Sequence, residues 1–205
     1  MDQRTHHLIK ASVLATRYEW REDLREHLSL VKSSGEVLRP ELYECFLQLH
    51  LFCGFPGALE AMRALQRAWP DHHDNSDATI WHTIDDLSNV IARGKELYER
   101  IYQDNAEIVR QEMLKLSPEL AVWAVVDGYG KTLSRDGLDV QTRELAVIAV
   151  LAQLGWDRQL FSHILGAVNV GVSSEDIQEA ITCGVMGDSK HLDHALELLR
   201  RVPHA

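Results

Sequence analysis

Apolar positions recur along this chain at three- and four-residue spacing, and no stretch alternates polar with apolar residues long enough to read as a strand. The pattern predicts an all-α protein. It is densest over Leu138–Gly187, where glycine-marked turns separate three predicted helices. Asp139 or Thr142 can cap the first, whose Leu145, Ile148, Ala149, Leu151, Ala152 and Leu154 make a nearly unbroken apolar face ending at Gly155. The second runs from about Asp157 to Asn169, with Gln159 and His163 one turn apart on a shared face and Gly171 beyond its end. Ser173 or Ser174, followed by Glu175 and Asp176, opens a third that carries Ile177, Ala180, Ile181 and Cys183.

Upstream, the same spacing predicts helices over Thr5–Tyr18, Glu22–Lys32 and from Arg39 to Cys53-Gly54, then Ala58–Ala68 after the break at Pro56-Gly57. Trp69–Ala78 reads as an acidic linker. His72, His73, Asp71, Asp74 and Asp77 are metal-competent by type but lack the spacing of a closed site. A short helix over Ile80–Asn89, a long one from Ala92 into Met113, and a buried one from Glu119 to Tyr129 follow, the last ended by Asp127-Gly128-Tyr129-Gly130. An amphipathic helix over Lys190–Arg201 closes the sequence.

The order repeats. His27 lies eight residues before Gly35, as His163 lies eight before Gly171. With one residue inserted between Ala15 and His27, His7 falls where Glu144 does and Asp23 where Gln159 does. An internal duplication follows, with the carboxylate missing from the first copy. The division expected is a first repeat over 1–70, linker and connecting helices over 71–115, and a second repeat over 116–205.

Charge narrows the partners. With 31 acidic and 21 basic residues the net charge is -10, which disfavours attraction to nucleic acid or an anionic membrane and suits a soluble cytoplasmic protein. No segment is long and apolar enough to span a bilayer, and the first residues lack a secretion signal. Cys45, Cys53 and Cys183 form no disulfide framework, and no C-x-x-C occurs. On one straight helix Cys45 and Cys53 would stand about 12 Å apart, too far to bridge.

Glu144 and His163 are the candidate acid–base groups, because a carboxylate beside an imidazole on apolar surfaces can hold and pass a proton near neutrality. Each also has a structural reading: Glu144 as a helix-start carboxylate or ion-pair partner of Arg143 or Arg135, His163 as a satisfied core residue. Gln159 can polarise a carbonyl. Arg143, Arg135 and Lys131 are candidate receptors for a small anion, and Tyr129 and Trp156 are candidate pocket walls or core aromatics. GKELYER lacks the glycine loop of a nucleotide site. No cofactor or metal is expected.

TRELAVIAVLAQLGWDRQLFSHILGAVNVGVSSEDIQEAI, with LHLFCGFPGALEAMRAL in the first half, resembles the carboxymuconolactone decarboxylase family, whose all-helical fold is that of alkylhydroperoxidase D. The resemblance covers roughly Thr5–Ala68 and Leu116–Leu199. It implies that Glu144 and His163 stand for the family's proton-relaying glutamate and histidine. The cysteine pair of the alkylhydroperoxidase D branch would fall at Trp156 and Gln159, so dithiol peroxide reduction by that route is excluded. What the resemblance then implies is a cofactor-independent lyase or isomerase acting on a small carboxylated lactone or enolisable acid. Other readings stand beside it: a hydrolase- or dehalogenase-like activity, a non-catalytic oligomeric or small-molecule-binding protein with a degenerate site, and thiol chemistry at the three cysteines. The resemblance further implies a homo-oligomer, a trimer before a dimer.

Overall fold

In the computed structural model, which describes residues 1–72, 87–187 and 189–202, every regular element is helical. The order is α1 (Gln3–Leu14), α2 (Arg21–Ser34), α3 (Arg39–Gln48), α4 (His50–Ala68), α5 (Leu87–Tyr102), α6 (Ala106–Leu116), α7 (Pro118–Trp123), a π-helix (Ala124–Leu133), α8 (Val140–Leu154), α9 (Asp157–Asn169), α10 (Ser174–Val185) and α11 (Ser189–Arg200). His73, Asp74 and Asp77 of the expected linker, and most of the Ile80–Asn89 helix, lie outside the described residues. The chain forms two compact units, residues 1–68 with 136–205 and residues 69–135. Helices α1–α4 and α8–α11 therefore share the first unit.

The first unit is built around α8. Asp139 starts it by accepting from the Thr142 amide at 2.8 Å, and Gly155 in the left-handed region (φ 70°) stops it. Between them every residue from Thr142 to Ala152 is buried, the charged Arg143 and Glu144 as well as the apolar run from Leu145. Helices α1, α9 and α10 pack against it. Gly184 lets α10 approach closely, since a Cβ there would collide with the Ala149 backbone.

The two copies begin alike. Asp2 caps α1 through the Thr5 amide at 2.7 Å as Asp139 caps α8, and Gly35 (φ 72°) and Gly171 (φ 87°) occupy matching left-handed turns. The repeated packing is consistent with an alkylhydroperoxidase D-like architecture. Within this half one expectation fails. Cys45 and Cys53 do not share a straight helix, because the chain breaks between Gln48 and His50 and turns again at Gly54 (φ 72°, ψ 171°).

In the second unit two further expectations fail. The long helix from Ala92 is interrupted at Gln103 (φ 46°), where a short 3₁₀ turn, Gln103–Asn105, separates α5 from α6. Asp127–Gly130 does not end a helix but widens it into the π-helix, with the Thr132 hydroxyl donating to the Asp127 carbonyl at 2.9 Å. Helix α5 crosses this π-helix at two glycines. A Cβ on Gly94 would strike the Val125 carbonyl, and one on Gly130 the Val90 carbonyl. The glycine of GKELYER thus serves helix packing. Among the described residues no helix is long and apolar enough to cross a membrane, and no group of three or more His, Cys, Asp or Glu is arranged to hold a metal ion.

Candidate active site

Glu144 lies one turn into α8 and His163 in the middle of α9, so the packing of these helices brings their side chains together. His163 Nδ1 and Glu144 Oε2 are 2.8 Å apart, with the residues 8% and 1% exposed. A carboxylate accepts, so the bond fixes the proton on Nδ1 when the ring is neutral and turns Nε2 away from the acid. The edge of Phe52, from α4, meets the imidazole with centroids 5.7 Å apart. Phe52 was legible only as an apolar position. Its contact depends on the bends on either side of it.

Gln159 is exposed one turn before His163, and Trp156 is 57% exposed where α8 gives way to α9. Trp156 is therefore surface, and its core reading is corrected. Arg143, a candidate anion receptor, points inward. It is 1% exposed, Nη2 donates to Glu44 Oε2 at 2.8 Å, and Nε donates to the Leu138 carbonyl at 3.2 Å. The pairing with α3 was not foreseen, because nothing local to Arg143 points to a partner so distant in sequence. The Glu144 carboxylate contacts His163 of α9.

Tyr129, Lys131 and Arg135 belong to the second unit. Tyr129 is buried in a cluster with Tyr98 and Tyr102 and donates to the Tyr102 hydroxyl at 2.9 Å. Lys131 pairs with Asp127 at 2.5 Å, one turn back. The Arg135 amide donates to the Thr132 carbonyl at 3.4 Å.

The corresponding place in the first copy holds two imidazoles. His7 and His27 have ring centroids 5.2 Å apart, and His27 Nε2 donates to the His7 carbonyl at 3.0 Å. Burial pushes the His27 imidazole down to about 4, the bond to the carbonyl opposing this only in part. This histidine is held neutral by its own repeat. The first half carries Cys45 and Cys53, and the second Cys183. All three are free thiols, and burial pushes Cys45 up to about 12 and Cys53 and Cys183 up to about 11, so none is a thiolate near neutrality.

Comparison with known proteins places this pair in a family context over part of the chain. The model of the carboxymuconolactone decarboxylase family matches residues 119–200, which include Glu144 and His163. The chain is 27% identical over 147 residues to peroxisomal protein 2 of Schizosaccharomyces pombe, covering 71% of this chain and 68% of that one. It is 40% identical over 53 residues to 4-carboxymuconolactone decarboxylase of Acinetobacter baylyi, covering 26% of this chain and 40% of that enzyme. The similarity to the carboxymuconolactone decarboxylase family thus covers residues 119–200, within an all-helical fold.

Proposed function

We propose that the protein is a cofactor-independent lyase or isomerase acting on a small carboxylated lactone or enolisable acid. The observation that carries this reading is the buried Glu144–His163 pair at 2.8 Å, within the matched segment. In the lyase form, the carbon–carbon bond to the substrate carboxylate breaks and carbon dioxide leaves. The electron pair passes through the double bond onto the lactone carbonyl, where the Gln159 amide donates to the developing enolate oxygen. The protonated imidazole then delivers its Nε2 proton to carbon, and Glu144 holds the ring and offsets its positive charge beforehand. An isomerase uses the same atoms, with Nε2 removing the proton before returning it.

The test is turnover of γ-carboxylated unsaturated lactones and enolisable carboxylates by the wild type, His163→Ala and Glu144→Gln. Both substitutions should lower kcat by about 10²-fold or more, the scale of general acid–base catalysis, with the helical circular dichroism retained. Turnover that survives His163→Ala unchanged would remove the pair from the reaction.

A further inference from the structure

The second unit carries a feature that the Glu144–His163 pair does not use. A cleft of about 500 Å³ opens between α5, α6, α7 and the π-helix, within the roughly 300–1,000 Å³ typical of small-molecule sites. Helix α5 meets the π-helix closely at Gly94 and Gly130, but Ala106 of α6 and Ala121 of α7 are too short to fill the space they face. Ile91, Leu114, Val125 and Val126 form the walls. They are half-buried, so their apolar surface can be reached, and Val122 beside them is 56% exposed. Val125 and Val126 belong to the π-helix, and wide turns of this kind are frequent at functional sites.

The charged and polar groups around the cleft balance. The Tyr98 hydroxyl donates to the Ala106 carbonyl at 3.1 Å, and Arg110 grips both oxygens of Glu107 at 2.8 and 2.7 Å. Lys95 and Glu99, of opposite charge, stand one turn apart on α5. Two cations in the lining therefore meet two anions, which leaves no net field to draw an ion. A charged ligand would lose hydration here without a counter-charge to replace it, whereas an uncharged apolar one gains from each wall it covers.

We propose that this cleft binds an uncharged apolar small molecule, its ring or chain against Ile91, Leu114, Val125 and Val126, with Val122 at the mouth. The site lies wholly within the second unit and takes no residue from the proton-transfer pair.

The experiment is fluorescence titration of the full chain with N-phenyl-1-naphthylamine, an uncharged probe that brightens in apolar surroundings. Displacement with octanol, octanoate and octylammonium near neutral pH follows. One probe should bind per chain, and octanol should displace it at a concentration at least about fivefold below either ion. Ala106→Leu, which fills the cleft, and Val122→Glu, which sets a charge at its mouth, should each weaken the probe about tenfold with helical circular dichroism unchanged. No binding up to the solubility limit of the probe, displacement by either ion as readily as by octanol, or either folded variant binding the probe as the wild type does would each overturn the proposal.

Discussion

At the scale of single residues, the duplicated histidines show how environment divides one side chain into two roles. His163 faces a carboxylate at 2.8 Å, whereas His27 faces a backbone carbonyl at 3.0 Å and is pushed by burial to about 4. The consequence for stability has a definite sign. The unfolded chain binds the His27 proton near 6.5 and the folded chain only near 4, so the unfolded state holds more protons between these values. The contribution is fully present above about pH 6.5 and is lost as the pH falls toward 4. Urea unfolding across this range should show wild-type stability falling by roughly 2–3 kcal/mol more than that of His27→Gln, from about 1.4 kcal/mol per unit of pKa displacement. Parallel pH profiles for the two proteins would mean that His27 is charged in the fold or solvated.

At the scale of helices, legibility followed how local the determining chemistry is. The α8, α9 and α10 boundaries were readable because each end carries its own signal: Asp139 and Gly155, Asp157, then Ser173 with Glu175 and Asp176. The nearness of Glu144 and His163 was readable from the same stretch, since two helices joined by a short turn at Gly155 return their inner faces to one another. Breaks made by side chains or by packing were not. Gln103 carries no sequence mark of a positive φ, and Gly128 and Gly130 looked like a stop although the π-helix runs through them. Gly130 is instead needed where Val90 approaches, a contact set by a different helix. The Arg143–Glu44 contact was hidden on the same ground: the neighbour Glu144 was visible in sequence, and the partner Glu44 was not.

At the scale of the whole molecule, the Glu44–Arg143 pair ties α3 of the first copy to α8 of the second inside one unit. The duplication is therefore fused into a single core and is not a pair of beads. A buried ion pair costs desolvation on both sides, so cutting one partner is expected to cost about 3–5 kcal/mol by leaving the other charge uncompensated. Arg143→Met and Glu44→Leu should each reach that range in chemical denaturation, and the double variant should recover most of the loss. Additive losses would instead assign each side chain an independent role.

The central claim is that Glu144 holds the imidazole of His163 by Nδ1 and leaves Nε2 to exchange a proton with a carboxylated ligand. ¹⁵N NMR of histidine-labelled protein measures this most directly, with the His163 signals identified by their absence in His163→Gln. Near neutral pH the neutral ring should carry its proton on Nδ1, and a γ-carboxylated unsaturated lactone should shift the Nε2 resonance while Nδ1 remains hydrogen-bonded. A ring protonated at Nε2, or an Nε2 resonance unmoved by the lactone at saturating concentration, would contradict the account.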